Sequence, residues 1–533
     1  MLACLSCGTT DSLDLHDVPI KECRLSEGEK CKSCRAIEQI DVEIEVIKRS
    51  LALNLEKRRT LKSERNDRHD SLTQLPPELY SRIFIECLPQ ELYPFPRRER
   101  PPRQERLPVP MLLSSVSRRW RALAHFTPQL WSFIRVRLDY PDSLQSAKLM
   151  REWLTRSGDL LVSIDLYLKR RSPGDEYERL PDNSMLPLID VVNDFSHRWG
   201  VLELNMPSAL IPKICGDSST TSTLDALHIS PIEWPRRAKF SQVFVMKNAL
   251  PSPTRISLCG LYLSSIAIDW TNVTHTETVG LHLDECVHLL RAAPRLVHCD
   301  FQIVQPLMPI HELPHDVITC RSLQWLDYED RHNAARFFNL ISLPSLRCLS
   351  ISPEQQTLEV LESVTACLKR SSCPLTSLKI AYVDLRDAPL IPLLEATPTL
   401  EILDLVFVHP SDALFQRLGA TAIDAYNQEE DAFLPYLRVI KLWGPRSYSW
   451  TSICDLYQCG NADGSGSGTF RRECTLNISV SSISGFDDEA TYIDKDVSAL
   501  FQALIEDGVD LRIADSRGRS MIKLKEPDDS VEN

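Results

Sequence analysis

The chain has 533 residues, of which 43% are apolar and 25% are charged, and its formal net charge at pH 7 is −13. This composition is typical of a folded protein, and the acidic balance argues against broad binding to nucleic acids or to anionic membrane surfaces. The chain contains 17 glycines and 35 prolines, which disfavours enzymes built on glycine-rich phosphate loops, because those loops need several glycines close together. The length suggests about three or four domains, or fewer if one of them is a repeat array.

The first residues do not show the pattern of a secretory signal, and no apolar run is long enough to cross a membrane. We therefore expect a cytoplasmic or nuclear protein without a membrane partner. In those compartments the 17 cysteines should remain reduced thiols.

Residues 1–34 contain two Cys-x-x-Cys pairs, Cys4 with Cys7 and Cys31 with Cys34. Two such pairs can supply four thiolates to a tetrahedral zinc ion, since each pair chelates across a tight turn. The 23 residues between the pairs exceed the usual spacing of about 15–20 residues. We prefer the interpretation that these are unpaired thiols and keep a structural zinc site as the alternative. No other metal and no cofactor is predicted.

Residues 35–70 are predicted to form a charged, coiled-coil-like helix. Apolar residues occupy the a and d positions of a heptad repeat at Ile37, Ile40, Ile44, Ile47 and Leu51. Only two or three heptads are regular, which is fewer than a stable coiled coil usually needs. The helix either forms a short dimer or, as we prefer, packs on the residues that follow.

Residues 72–137 are predicted to form a compact unit of three helices. The first helix opens at Pro76, because proline fits the first turn of a helix, where the amide donors have no partner. The second helix runs on from Met111. The third begins at Thr127, an N-cap residue followed by proline, and extends to Ile134.

Three short motifs occur in a fixed order within this unit. They read Leu75-Pro76-x-Glu78-Leu79 with Ile83-Phe84, then Val116-Ser117-Arg118-x-Trp120, and then Leu130-Trp131. Together they resemble the F-box, in an arrangement frequent in F-box proteins of mushroom-forming fungi, where a coiled-coil-like helix often precedes it. The chain departs from the family pattern at Ser117, where the family often has cysteine, and in the long segment 89–110 between the first two helices.

The resemblance implies that this unit binds the Skp adaptor, and through it the cullin scaffold, of a Skp–cullin–F-box ubiquitin ligase. The residues that match the F-box pattern, and that we predict to contact the adaptor, are Leu75, Pro76, Leu79, Ile83, Val116 and Trp120. An alternative is open for three of them. Ile83, Val116 and Trp120 would then fill the core of the helical unit instead of contacting a partner.

One apolar pattern recurs between about residue 150 and residue 515, with apolar residues at positions 1, 4 and 6 of each copy. The last apolar position of each copy falls at residues 166, 204, 229, 258, 283, 301, 328, 351, 380, 405 and 442. The mean spacing of about 28 residues lies within the range of leucine-rich repeats. Because alternate residues of a strand face the same side, each copy predicts a short strand that pairs with its neighbours. The short step from residue 283 to residue 301 suggests that one copy is wrongly assigned.

We therefore predict an α/β fold, with an N-terminal helical segment and a three-helix F-box followed by an irregular leucine-rich-repeat-like solenoid over residues 150–515. An amphipathic helix through Phe501 and a strand at Leu511-x-Ile513 should cover the end of the array. Residues 516–533 should form a polar tail. The alternative is an ordinary α/β domain with leucine-rich strands.

One enzyme motif is present by letter, since residues 311–315 read His-Glu-Leu-Pro-His and match the H-E-x-x-H sequence of zinc peptidases. That chemistry needs a helix, so that both imidazoles lie on one face. Pro314 removes a backbone donor and disfavours helical backbone at Leu313. We predict a loop at this position, which strongly disfavours the metalloprotease interpretation.

These features predict a non-catalytic substrate-recognition subunit of a ubiquitin ligase. The F-box-like unit would bind the Skp adaptor, and the repeat region would bind a protein substrate whose identity the sequence does not reveal. No nucleic-acid partner is expected. The alternative is a leucine-rich-repeat scaffold or sensor unconnected with ubiquitin, and the third class is an enzyme, either a zinc peptidase or a thiol hydrolase.

Overall fold

The computed structural model describes most of the chain from residue 31 onward. The described residues are 31–69, 75–89, 107–138, 143–168, 185–216, 222–232, 243–306, 311–330, 333–353, 357–382, 387–426, 433–457, 473–480, 493–515 and 517–522. The chain divides into two compact units, one made of residues 1–86 with 111–123 and the other of residues 87–110 with 124–533.

The described part of the chain contains thirteen α-helices. In chain order they are α1 (Lys32–His69), α2 (Pro77–Glu86), α3 (Val109–Val116), α4 (Arg118–His125), α5 (Ser143–Arg156), α6 (Leu186–Asp194), α7 (Leu283–Ala292), α8 (Ala334–Asn339), α9 (Thr357–Ser371), α10 (Asp387–Glu395), α11 (Asp412–Tyr426), α12 (Trp450–Tyr457) and α13 (Lys495–Glu506). None of these helices combines the length and the apolar composition needed to cross a lipid bilayer.

Sixteen strands are present in the same residues. They are β1 (Phe133–Arg137), β2 (Val162–Tyr167), β3 (Trp199–Asn205), β4 (Ala226–Ile229), β5 (Arg255–Cys259), β6 (His275–Val279), β7 (His298–Val304), β8 (Ile318–Thr319), β9 (Trp325–Asp330), β10 (Ile341–Ser342), β11 (Cys348–Pro353), β12 (Ser377–Ala381), β13 (Ile402–Val406), β14 (Val439–Gly444), β15 (Thr475–Val480) and β16 (Leu511–Asp515).

Fourteen of these strands form one parallel sheet in which the spatial order follows the chain order. Strands β8 and β10 are the exception, because they pair only with each other. The mixed α/β class expected from the sequence is therefore confirmed. Parallel neighbours need a crossover between them, and short helices or irregular turns supply those crossovers along the sheet.

Two rows of buried side chains run through the sheet, because the strands pair in register. The first row includes Leu349, Leu378, Leu403 and Ile440, and the second row includes Ile351, Ile380, Leu405 and Leu442. These are the apolar positions 4 and 6 of the sequence pattern. The pattern therefore identifies the core-facing side of the strands, as expected from the alternation of side chains.

Helices cover the buried side of the sheet in its C-terminal half. Tyr328 of β9 stacks on Phe337 of α8 with ring centroids 4.3 Å apart, and Phe301 of β7 meets the same ring at 5.8 Å. Helices α8 to α13 then pack in series, each on the next. The thirteen described cysteines of the protein form no disulfide with one another.

The second predicted helix of residues 72–137 is two helices, α3 and α4, with Ser117 between them. The hydroxyl of Ser117 accepts a hydrogen bond from the Trp120 amide at 3.1 Å. That contact is an N-cap, which starts α4 afresh after α3 has ended. The Ser117 hydroxyl therefore sets the position at which the predicted helix is interrupted. The apolar pattern does not reveal this interruption.

The third predicted helix is also different from expectation. Pro128–Trp131 forms a single turn of 3₁₀ helix, and Phe133 and Ile134 lie in β1, the first strand of the large sheet. Val136 and Ile134 alternate with exposed or half-buried residues, which is the two-residue period of a strand. The expectation of a helix through Ile134 is wrong because pairing with β2 outweighs the local helical signals.

The copy of the pattern ending at residue 283 is wrongly assigned, as its spacing suggested. Leu283 begins α7, and the strand of this copy is β6, where Thr276 and Thr278 take the two buried positions. Strand β15, with Leu476 and Ile478 buried, was missed altogether. The predicted final strand at Leu511-x-Ile513 and the helix through Phe501 are confirmed as β16 and α13.

Candidate protein-interaction surfaces

Helix α2 divides its apolar side chains between two faces. Tyr80 and Phe84, one turn apart, are buried, and their rings meet edge to face with centroids 6.2 Å apart. Leu79 and Ile83, also one turn apart, are 46% and 44% exposed. A helix that buries a single face normally places polar residues at its outer positions. Helix α2 therefore presents more apolar surface than its own unit covers.

Helices α3 and α4 show a similar division. Leu113 of α3 is buried, whereas Leu112 and Val116, one turn apart, are exposed, Val116 to 57%. On α4 the ring of Trp120 packs on Phe84 with centroids 5.1 Å apart. Trp120 is half-buried and joins α4 to α2.

The six residues predicted to contact an adaptor therefore fall into two groups. Four of them, Pro76, Leu79, Ile83 and Val116, are exposed, and the other two, Leu75 and Trp120, are half-buried. The alternative that Ile83 and Val116 fill the core is wrong, because their side chains face outward. For Trp120 the core interpretation applies in part, since its ring lies on Phe84. Adaptor contact itself stays a prediction.

Helix α1 does not bury its heptad stripe on the residues that follow. Ile37, Ile40, Ile44, Ile47 and Leu51 are all exposed, so the packing that we preferred is wrong for the described residues. Apolar residues also occur on the opposite side of the helix, at Val42 and Val46. With apolar positions on two sides, α1 lacks the single stripe that one neighbouring surface would cover.

The N-terminal cysteines lie only partly within the described residues. Cys4 and Cys7 fall outside them, and Cys31 and Cys34 lie at the start of α1 with their Sγ atoms 3.4 Å apart. Among the described residues no group of three or more histidine, cysteine or acidic side chains is arranged to hold a metal ion. The four-cysteine zinc site stays an alternative, because two of its four ligands are not described.

The H-E-x-x-H segment at residues 311–315 is not helical, which confirms the loop predicted from Pro314. The two imidazoles therefore lack the helical i, i+4 relation that zinc peptidases use. The His311 ring stacks on His288 of α7 with centroids 4.0 Å apart, and the His311 amide donates to Oδ2 of Asp284 at 2.9 Å. These contacts fasten the loop to the start of α7.

A groove of about 1210 Å³ is lined mainly by strands β12 to β16 and also by residues of β7, β9 and β11, Glu329 among them. We name it the β12–β16 groove. Its floor is a row of side chains in register, one from each strand, namely Lys379, Asp404, Lys441, Asn477 and Arg512. Each lies between two buried residues of its strand, so the row is on the side of the sheet opposite the apolar core. A cation stands on every second strand.

The charges of this row are linked to one another and to the loop before β16. Burial raises the pKa of Asp404, while Lys379 and Lys441 on the neighbouring strands favour its charged form. Arg512 donates to both carboxylate oxygens of Asp510 at 2.9 and 3.2 Å. Asp404 therefore lies between two lysines of the neighbouring strands, and Arg512 is paired with Asp510.

An aromatic stack borders the groove at the ends of β12 to β14. Tyr382 stacks on Phe407 with centroids 5.4 Å apart, and Phe407 lies 6.4 Å from Trp443. Tyr382 and Trp443 are 59% and 54% exposed. Tyr382 and Phe407 have φ values of +58° and +52°, a conformation that is costly for bulky residues.

The apolar pattern of the repeats does not predict this groove, although the sequence contains a signal for it. In three consecutive clear copies of the pattern the residue between the last two apolar positions is charged, as Lys379, Asp404 and Lys441. Only the strand register shows that these residues are neighbours.

No model of a known protein family matches the chain, and no curated protein is significantly similar to it in sequence.

Proposed function

We propose that the protein is a non-catalytic substrate-recognition subunit of a Skp–cullin–F-box ubiquitin ligase, acting in the cytoplasm or nucleus. Helices α2 to α4 would bind the Skp adaptor, and the unit with the parallel sheet would bind the protein substrate. The observation that carries the proposal is the exposure of Leu79 and Ile83 on α2, next to the buried pair Tyr80 and Phe84.

Apolar side chains that are exposed in pairs one turn apart favour a protein partner. Leu79 with Ile83 on α2 and Leu112 with Val116 on α3 form two such pairs. Contiguous apolar surface of this kind commonly marks an interaction site. The motifs of these helices are the ones that resemble the F-box, and the resemblance supplies the identity of the partner as the Skp adaptor.

The sheet supports the second half of the proposal, a leucine-rich-repeat-like array that binds substrate. Its strands follow one another in chain order, pair in parallel and carry two continuous rows of buried residues. Each unit of such an array contacts mainly its neighbours and leaves a long open sheet face for a partner. The array would catalyse nothing itself and would raise the effective concentration of substrate near a ligase-bound ubiquitin conjugate.

Co-purification with the Skp adaptor tests the proposal. The full chain is co-expressed with the adaptor as the parent, as a Leu79→Asp/Ile83→Asp variant and as a matched control, Leu144→Asp/Leu149→Asp. The control replaces two exposed leucines of α5 and adds the same charge. We expect a stable complex with the parent and the control and none with the α2 variant, with equal circular dichroism spectra for all three.

Two results would contradict the proposal. If the α2 variant retained the complex as well as the control does, α2 would not be the docking surface. If the parent chain itself failed to bind the adaptor, the leucine-rich-repeat scaffold or sensor unconnected with ubiquitin would become the better assignment.

A further inference from the structure

The spacing of cations in the β12–β16 groove indicates what kind of ligand fits it. Lys379, Lys441 and Arg512 lie on β12, β14 and β16, at the same register position. Neighbouring strands are about 4.8 Å apart, so these cations repeat at about 9.6 Å across the strands. A ligand that contacts all three needs negative charges at that interval on one of its sides.

A peptide in the polyproline II conformation has this interval. It rises about 3.1 Å per residue with three residues per turn, so that every third side chain faces the same way at steps of about 9.3 Å. A fully extended strand places alternate side chains on one face at about 6.6–6.8 Å, which does not match the row. Acidic residues at positions i, i+3 and i+6 of a polyproline II segment would therefore meet the three cations in turn.

The aromatic border of the groove fits the same ligand. Grooves that bind polyproline II segments are lined by exposed aromatic rings, on which the residues between the specific contacts pack. Tyr382 and Trp443 are exposed beside the row of cations. Phe407 lies between them, stacked on Tyr382 and tilted relative to Trp443. Proline or another apolar residue between the acidic positions would lie on these rings.

We propose that the β12–β16 groove binds an acidic polyproline II segment of a protein partner, with Asp or Glu at every third position. The three cations share the groove with Asp404 and Glu329, and Arg512 is paired with Asp510, so the proposal depends on the spacing of the cations and not on an excess of positive charge. This inference rests on one part of the proposed function, namely that the unit with the parallel sheet binds a protein partner. It is tested without the Skp adaptor, so the two proposals can fail separately.

Fluorescence anisotropy on the full chain with labelled synthetic peptides provides the test. The probe has four Glu-Pro-Ala repeats. One comparison peptide has the same composition with its glutamates consecutive, and a second has lysine in place of glutamate. We expect the probe to bind roughly tenfold more tightly than the consecutive-glutamate peptide, and the lysine peptide to bind more weakly than both.

Charge reversal in the groove supplies the second measurement. Lys379→Glu/Lys441→Glu should lose roughly tenfold or more of the affinity for the probe and should gain binding of the lysine peptide. The matched control, Lys148→Glu/Lys369→Glu, changes two exposed lysines of α5 and α9 by the same charge and should bind like the parent. Equal losses in both double variants would overturn the proposal, because the effect would then come from net charge alone.

Two further outcomes would also overturn it. Equal affinity for the probe, the consecutive-glutamate peptide and a single-stranded oligonucleotide would indicate an unspecific polyanion site. The chain's own C-terminal sequence carries Glu526, Asp529 and Glu532 at the same three-residue spacing. If a chain truncated after Ile522 bound the probe and the full chain did not, the C-terminal sequence would be the ligand of the groove. The proposal of a partner protein would then be wrong.

Discussion

The rings of Phe84 and Trp120 lie 5.1 Å apart at an angle of 48° and join α2 to α4. Trp120 thus has a structural contact, whereas Leu79 on the same α2 helix faces outward with 46% of its surface exposed. We expect Trp120→Ala to destabilise this helical unit by about 1–3 kcal/mol through lost aromatic packing. Leu79→Ala should change its stability by less than about 0.5 kcal/mol.

Hydrogen exchange of the α2 and α4 amides measures this difference. Trp120→Ala should speed exchange in both helices, and Leu79→Ala should leave it unchanged. Equal acceleration by the two substitutions would show that Leu79 also belongs to the core and would weaken its role as a contact residue.

Trp131 is fully buried beside the first strand of the sheet. Its Nε1–H donates to the carbonyl oxygen of Ala124 at 2.7 Å, and its ring meets Trp153 edge to face at 4.7 Å. Trp131→Phe should lower the free energy of unfolding by about 1–3 kcal/mol. The Ala124 carbonyl, which also accepts from the Thr127 amide at 3.2 Å, loses one of its two donors, and the smaller ring leaves part of the buried space unfilled.

Urea denaturation followed by circular dichroism tests this, with Trp325→Phe as the control because Trp325 is 44% exposed. The control should unfold at the midpoint of the parent. A Trp131→Phe midpoint equal to that of the parent would show that the hydrogen bond contributes nothing measurable.

Gly444 allows β14 to approach the aromatic border of the groove. Its φ is +141°, and a Cβ at this position would lie 3.0 Å from Cα of Phe407. Gly444→Ala should therefore combine backbone strain with a clash against Phe407 and should displace the stack of Tyr382, Phe407 and Trp443.

Gly158→Ala is the matched control, since Gly158 also has a positive φ, +58°, but has no atom within 4 Å of an added Cβ. Differential scanning calorimetry should show the larger loss of stability for Gly444→Ala. Probe binding in the β12–β16 groove should weaken only in that variant. Equal decreases in melting temperature for the two variants would mean that Phe407 moves away from the added Cβ without an energetic cost.

Glu285 makes the stability of the sheet unit depend on pH. Burial raises the pKa of Glu285 to about 7, although its two oxygens accept hydrogen bonds from the amides of Leu263 at 2.8 Å and His282 at 3.4 Å. The folded state therefore keeps the proton up to about pH 7, while the unfolded chain releases it near pH 4.5. The free energy of unfolding should fall as pH rises between these values and then level off, because the folded state binds more protons in that window.

Comparison with Glu285→Gln isolates this group from the other titrating residues. Across the window from about pH 4.5 to about pH 7, the parent should lose about 2–3 kcal/mol relative to the variant, which cannot release a proton. Glu401→Gln, at an exposed position, should follow the pH dependence of the parent. Parallel stability curves for the parent and Glu285→Gln would contradict the assignment.

The repeating strands could be predicted from sequence because their signal is local. Leu378 and Ile380, or Leu403 and Leu405, lie two residues apart, and a spacing of two places both side chains on one face of a strand. The signal fails at β6, where Thr276 and Thr278 take the buried positions. Threonine fits a strand as well as valine does, but it does not stand out in a search for leucine.

The helical unit was predictable only in part. The motifs around Leu79 and Trp120 indicated helices, and the structure has helices there. Periodicity alone could not decide whether Ile83 and Val116 face a core or the solvent, because a stripe of apolar residues is the same pattern in both cases. Their exposure depends on which neighbours are present, and this is a property of the packed unit.

The α/β class, the approximate spacing of the strands and the sides of most strands that face the core can be predicted from the order of residues alone. These follow from apolar residues a few positions apart along the chain. The folded structure is needed to show that one row is formed by Lys379, Asp404, Lys441, Asn477 and Arg512. Those residues are up to more than a hundred positions apart, and they become neighbours only because parallel strands pair in register.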